Sequence, residues 1–346
     1  MDKENPFTLT FGKEPNECVA RHDSLDSIIN TFESAHPVSQ AYLIEGIRGS
    51  GKTVLMTSIA KTLAKKKDWI IVDLNSTQDL LTDFAMRLVD ASRSFSDIFK
   101  KGFSMSVAGF GFGLNGEAQT RDNVSIIEEL LESLKKKNKK VLITIDEVMN
   151  GENMRHFASE FQICLRKDYS VFLLMTGLYE NISAIQNDPA LTFLLRTPKL
   201  NLEPLSLMQI AKQYQHVFDV DTETSKKFAK ITKGYAFAFQ AFGLLYFDYH
   251  DSLSLEKIIL KFDEMLDDFV YKKIWEGLSA QDRNVVRAIS DSKAKVSDVC
   301  KKLNMTSSTF SKYRERLLNR GLIMAKEHGY VELILPRFAE IASYYE

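Results

Sequence analysis

Gly46-Ile47-Arg48-Gly49-Ser50-Gly51-Lys52-Thr53 constrains this chain more than any other stretch. Glycine, four residues, then Gly-Lys-Thr is the Walker A pattern, whose structural home is the turn from a buried strand into a helix. Both neighbours fit. Ala41-Tyr42-Leu43-Ile44 is an apolar run of strand length, and Val54 to Lys66 has helix-forming composition. A loop so placed aims backbone N–H groups and the positive end of a helix at one point, where phosphates can sit. The expected nucleotide ligands are Gly46, Arg48, Gly49, Ser50, Gly51, Lys52, Thr53 and Val54, with Arg48 also able to face solvent or a neighbouring subunit. Lys52 would reach the β- and γ-phosphates, and the Thr53 hydroxyl would bind Mg²⁺.

A second motif completes the chemistry. Val141-Leu142-Ile143-Thr144-Ile145-Asp146-Glu147 is an apolar strand ending in two acids, the Walker B pattern. Asp146 would hold Mg²⁺, and Glu147 would polarise the attacking water as general base. Arg196, in Leu194-Leu195-Arg196-Thr197-Pro198, is the arginine-finger candidate, with a surface ion pair as the alternative role. The six histidines are scattered without metal-ligand spacing, and no Ser/His/Asp or Cys/His arrangement stands out. ATP and Mg²⁺ are therefore the only cofactors implied.

Around these motifs, apolar runs alternate with helical periodicity. Trp69 to Leu74, Val141 to Ile145, Val171 to Met175 and Lys199 to Leu202 read as strands after the first. Leu25, Ile28, Ile29 and Phe32 mark a helix before them, and further helices fall between them. Near-continuous apolar strands alternating with helices mean an α/β fold with a parallel sheet covered on both faces. Gly102 to Gly116, where glycine alternates with apolar residues, reads as a hairpin or a mobile loop, either a decorated loop or a partner-binding or DNA-touching insertion. From Leu205 the strand signal stops, and Ser206 to Phe218, Thr222 to Lys233, Ala236 to Tyr249 and Ser254 to Trp275 read as helices. The last carries Leu255, Ile258, Ile259, Phe262, Leu266 and Phe269 on one stripe.

The final stretch reads as three helices and a hairpin, the winged helix-turn-helix layout. Ser279 and Asp282 form a capping box at its start. Its second helix offers Ser307, Ser308, Thr309, Lys312, Tyr313, Arg314 and Arg316 to a major groove. Between Lys293 and Lys326 only Asp298 and Glu315 oppose nine bases, although the whole chain carries a formal net charge of −1. One basic module thus sits in a near-neutral protein, and duplex DNA is its expected partner; docking on protein is the other use of such a module. The expected domains are 1–204 (with an opening segment 1–23), 205–276 and 277–346.

At 45% hydrophobic and 26% charged, the 346 residues have the composition of an ordinary globular protein. Cys18, Cys164 and Cys300 lie far apart, which suits a reducing cytoplasm. The most apolar stretch, Tyr235 to Phe247, is too short to span a bilayer, so no membrane partner is expected.

With these pieces in order, the chain resembles the archaeal-type ATPases of the AAA+/STAND group, including the origin-recognition-like ATPases. Besides the Walker motifs, the resemblance rests on Asn5-Pro6-Phe7-Thr8, Phe11-Gly12, Val19-Ala20-Arg21-His22-Asp23, Asn187 to Phe193 and Leu202-Glu203-Pro204-Leu205. It places Arg21 near the adenine and Thr176 at the sensor 1 position, in contact with the γ-phosphate or the water. Capping of the next helix is the alternative role of Thr176. Thr232 to Gln240 is similar to the family's lid segment, with Ala236 where proline is usual, and no sensor 2 arginine follows. The resemblance implies a slowly hydrolysing ATPase whose nucleotide state controls the winged helix, with ATP-dependent homo-oligomers. A signalling or scaffold switch is the competing reading.

Overall fold

The structure, a computed structural model, describes residues 4–10, 19, 21–93, 123–289 and 293–345. Gly102 to Gly116, Phe11-Gly12, Cys18 and Ala20 lie outside the described residues. The chain divides into two compact units: residues 22–45 with 52–201, and residues 1–21 with 46–51 and 202–346.

The first unit is built on strands β1 (Ala41–Glu45), β2 (Trp69–Leu74), β3 (Lys140–Ile145), β4 (Val171–Gly177) and β5 (Lys199–Asn201). They pair in parallel in the order β2-β3-β4-β1-β5. Helices α1 (His22–Glu33), α2 (Lys52–Ala64), α3 (Leu80–Arg93), α4 (Asn123–Lys136), α5 (Glu152–Arg166) and α6 (Tyr179–Gln186) accompany them. All seven residues of β4 are buried, as expected for a strand covered on both faces. Leu80, Phe84, Leu88, Ile127, Leu131, Phe157 and Phe161 belong to one core with Val141, Ile143 and Leu173. Elsewhere in the unit Phe32, Trp69 and Phe172 pack together, with the Phe172 ring 5.0 Å from each of the other two. The sequence pattern misses α6 because its eight residues are too few for a clear period.

This strand order sets the site. β4 lies between β1 and β3, so Thr176 pairs with Ile44 and Met175 with Ile145. The carboxyl ends of the three strands therefore share one edge, where open parallel sheets place their ligands.

The second unit is helical, then mixed. It contains α7 (Leu207–Phe218), α8 (Thr222–Thr232), α9 (Ala236–Tyr249) and α10 (Leu255–Leu266). α10 does not run on to Trp275 as one helix: Asp267–Tyr271 form a π-turn before α11 (Lys272–Glu276). The wider turn shifts the register of the apolar stripe, so Val270 and Tyr271 are buried while Phe269 is 58% exposed. Phe7 anchors the N-terminal strap against Tyr214, Phe218 and Phe239, and its ring fills the notch left by Gly243.

The C-terminal block follows with α12 (Ala280–Ala288), β6 (Ala294–Lys295), α13 (Val296–Lys302), α14 (Ser307–Asn319), β7 (Ile323–Met324), β8 (Tyr330–Leu333) and α15 (Phe338–Ala342). Its strands pair antiparallel in the order β6-β8-β7. Residue pairs β6 and helix α15 go beyond the three helices and hairpin that the sequence pattern indicates. The Ser279 hydroxyl accepts from the Asp282 N–H, the N-cap half of the expected box. The Asp282 carboxylate departs from that box: it takes the Ser279 hydroxyl and Arg316 instead. Two links hold the block to the preceding helices. The Tyr271 hydroxyl donates to the Pro336 carbonyl at 2.7 Å, and Arg337 grips both oxygens of Asp263.

Candidate functional site

The loop Gly46–Gly51 has the local geometry its sequence demands. Gly49 and Gly51 have φ of 74° and 93°, a region that side chains with a Cβ rarely adopt. The Ser50 N–H closes a turn on the Ile47 carbonyl at 3.2 Å. The Ser50 hydroxyl is buried with no hydrogen-bond partner, an orphaned polar atom beside a backbone bend.

The carbonyls of this loop are taken up within its own unit. The Tyr235 hydroxyl donates to the Arg48 carbonyl at 2.6 Å, and the Phe237 N–H donates to the Gly49 carbonyl at 3.0 Å. Arg21 donates to the carbonyls of Ser50 and Glu203. In a trans peptide C=O and N–H point opposite ways, so fixing the Arg48 carbonyl turns the Gly49 N–H away from Tyr235. Tyr235 is buried, and burial pushes its phenol well above the usual range, so it stays a donor. A Cβ on Gly49 would run into that hydroxyl. Sequence reasoning singles out the lid segment here but not this donor.

Thr53, Asp146, Glu147 and Thr176 come together in the other unit. The Thr53 hydroxyl donates to Asp146 Oδ2 at 2.8 Å. Thr176, fully buried at the end of β4, donates to Asp146 Oδ1, which also accepts the Glu147 N–H at 3.1 Å. That N–H lies 3.3 Å from the Thr176 hydroxyl as well. Glu147 has φ of 52°, an uncommon conformation for glutamate, and its side chain is exposed. Lys52 opens α2 and is buried at 8% exposure, and Val54 follows in the same turn.

These groups fit an anion paired with a divalent cation. In the first unit, buried Lys52 and the Thr53–Asp146 hydroxyl–carboxylate pair are groups suited to a phosphate with its cation. In the second, the side-chain-free positions Gly49 and Gly51 and the orphaned Ser50 hydroxyl are suited to an anion. Among the described residues no group of three or more His, Cys, Asp or Glu is placed to hold a metal by itself.

The remaining sequence candidates are dispersed. Arg48 presents its side chain to solvent. Arg196 is exposed in the turn before β5, at the amino edge of the sheet, whereas the loop follows the carboxyl end of β1. On α14, Ser307, Ser308, Thr309 and Lys312 are exposed, and Tyr313 and Arg314 are half-buried. Arg316 is engaged inside the block, with Asp282 at 2.6 Å and Ser279 at 3.2 Å. Asp282 is 1% exposed, so this pair ties α14 to α12. Glu45, which the sequence reading passes over, closes β1 with a buried carboxyl 3.7 Å from Lys199. No helix among the described residues is long and apolar enough to cross a membrane.

Residues 268–341 match a family model described as a domain of unknown function (DUF8462). No curated relative matches the chain. The structure of the Walker-type ATPase of Pyrococcus abyssi is similar at a TM-score of 0.65 and 14% identity, over 94% of this chain and 96% of that one. Aeropyrum pernix ORC2, solved as ADPNP–ADP complexes, gives 0.60 at 15% identity over 96% of each. Cdc6p of Pyrobaculum aerophilum gives 0.51 at 13% identity over 96% of each. Identities this low speak for the fold and not for the site. In fold, the chain is similar to these origin-recognition-type ATPase structures.

Proposed function

We propose that the chain is a slowly hydrolysing Mg²⁺-ATPase whose nucleotide state governs a C-terminal winged helix that binds duplex DNA. The observation that carries the enzymatic half is the setting of Asp146, held by Thr53 on one oxygen and by Thr176 and the Glu147 N–H on the other. Loop N–H groups and Lys52 would bind the phosphate oxygens. Thr53 and Asp146 would hold Mg²⁺, which when bound neutralises charge on the transferring phosphoryl group. Glu147, held on a turn beside Asp146, takes the proton from the attacking water at its carboxylate. Thr176 acts here as a positioning residue for both acids. Arg196, at the opposite edge of the sheet from the loop, suits a finger offered to a neighbouring copy. Slow turnover follows from the lid segment's lack of a second arginine.

The regulatory half rests on the grouping of parts. The loop Gly46–Gly51, the helices α7–α11 and the C-terminal block belong to one compact unit. A ligand can shift such a unit only through contacts that differ between states, and the bonds from Tyr235 and Phe237 to the loop are candidates. The order α12-β6-α13-α14-β7-β8 supports a winged helix, with Ser307, Ser308, Thr309, Lys312, Tyr313 and Arg314 toward DNA. We read 1–204, 205–276 and 277–346 as ATPase, lid and winged-helix domains.

Glu147→Gln tests the first half. ATP turnover should fall about 100-fold or more, the scale of a lost general base, while nucleotide binding persists. Unchanged turnover would remove Glu147 from the mechanism. Titration of duplex DNA at two salt concentrations tests the second half, and Lys312→Ala with Arg314→Ala should weaken binding to every sequence.

A further inference from the structure

Two lysine runs some seventy residues apart in sequence meet in space. Lys65, Lys66 and Lys67 follow α2, and the run from Lys135 to Lys140 closes α4 and opens β3. The Lys139 ammonium donates to the Lys67 carbonyl at 2.7 Å, which sets the two runs side by side. A third turn joins them where α5 ends: the Lys135 ammonium donates to the Lys167 carbonyl at 3.0 Å. The topology explains the meeting. α2, α4 and α5 each lead into one of the adjacent parallel strands β2, β3 and β4, so all three turns lie at the amino edge of the sheet.

This edge is basic beyond what the fold needs. Within residues 65–68, 135–140 and 166–168 the only acids are Asp68 and Asp168. Lys66, Lys136 and Lys167 have partners in Glu33, Glu132 and Glu128. Lys65, Lys67, Lys135, Lys137 and Arg166 are exposed and have no carboxylate partner among the described residues. Three helix ends contribute about half a negative charge each, too little to balance that surplus. Concentrating like charge costs stability, so a face of this kind suits a polyanion. None of the exposed large hydrophobic side chains among the described residues lies in the three lysine turns, so these turns offer charge rather than apolar insertion. Val38 and Leu195 are exposed in the turns before β1 and β5.

We propose that the amino edge of the parallel sheet is a second nucleic-acid face, binding the phosphate backbone of duplex DNA independently of the C-terminal block. Adjacent strands are about 4.8 Å apart, so turns on three strands span about 10 Å, a length over which duplex DNA carries about six phosphate charges. Lysine on flexible stems suits backbone contact without base readout.

The test uses the full chain and duplex DNA, with affinity measured across a salt series. In the fourfold variant Lys65→Gln, Lys67→Gln, Lys135→Gln, Lys137→Gln, the slope of log affinity against log salt should fall by about 3–4. Affinity in about 0.1 M salt should drop at least tenfold, with ATP turnover and melting temperature unchanged. The matching Lys→Arg variant should restore both slope and affinity. Lys312→Gln with Arg314→Gln reports on the C-terminal block separately, so either face can fail alone. Wild-type affinity and slope in the fourfold glutamine variant would overturn the proposal. So would absence of duplex binding by a chain that is retained on phosphatidylserine vesicles.

Discussion

Glu45 ends β1 immediately before the glycine loop begins, with its carboxyl buried. Burial raises its pKa above the ordinary 4.5, and Lys199 offsets only part of that. For a group whose folded pKa lies above its unfolded one, the stability contribution is complete below the unfolded value and lost as pH rises through the folded value. The chain should therefore lose stability as pH climbs from 4.5 toward neutrality, and Glu45→Gln should remove that loss. Urea midpoints at pH 4.5 and pH 7 measure it; an identical offset between wild type and variant at both pH values would exonerate Glu45. Residues of this kind explain what a sequence displays and what it hides. Lys52, Thr53, Asp146 and Glu147 stand out in the sequence because they form motifs of fixed residue type at short spacing, and the structure brings Thr53, Asp146 and Glu147 together. Tyr235 acts on a carbonyl 187 positions away, and nothing in its local sequence announces that bond.

At the scale of elements, the strands of the sheet were readable because burial on both faces leaves unbroken apolar runs. β6, only two residues long, has too little pattern to detect, and the π-turn has no local signature either. The tie between α12 and α14 shows the same limit in a functional stretch. Arg316 has the type and place of a DNA-contacting residue, yet it spends its guanidinium on Asp282. Removing it would leave a buried carboxylate with only the Ser279 hydroxyl. Arg316 is partly exposed, so the loss is discounted for solvent screening: Arg316→Ala should cost about 1–3 kcal/mol, seen in thermal or urea unfolding. Lys312→Ala, on the exposed face of the same helix, should stay within about 0.5 kcal/mol. Equal effects from the two would mean the tie to Asp282 is not structural.

At the scale of the molecule, the division into units does not follow sequence order. The glycine loop groups with the helices that begin at Leu207, because Tyr235 and Phe237 donate to its carbonyls. Tyr235→Phe keeps the ring and deletes one donor, leaving the Arg48 carbonyl unpaired at a cost of about 1–3 kcal/mol. ADP affinity measured by calorimetry should fall in this variant. Gly49→Ala should be more damaging, since it meets both the left-handed backbone and the Tyr235 hydroxyl. The double variant should then be less impaired than the two single effects added together, because phenylalanine removes the colliding oxygen. Strict additivity would show that the hydroxyl and the loop do not interact.

The π-turn at Asp267–Tyr271 has one more consequence. Each residue of a helix advances its azimuth by about 100°, so an inserted residue changes the compass bearing of everything downstream. The heading of α11 relative to α10 is thus turned by a single amino acid. A chain of this architecture lacking that residue would swing Trp275 to another bearing and set the Arg337–Asp263 tie against the new one.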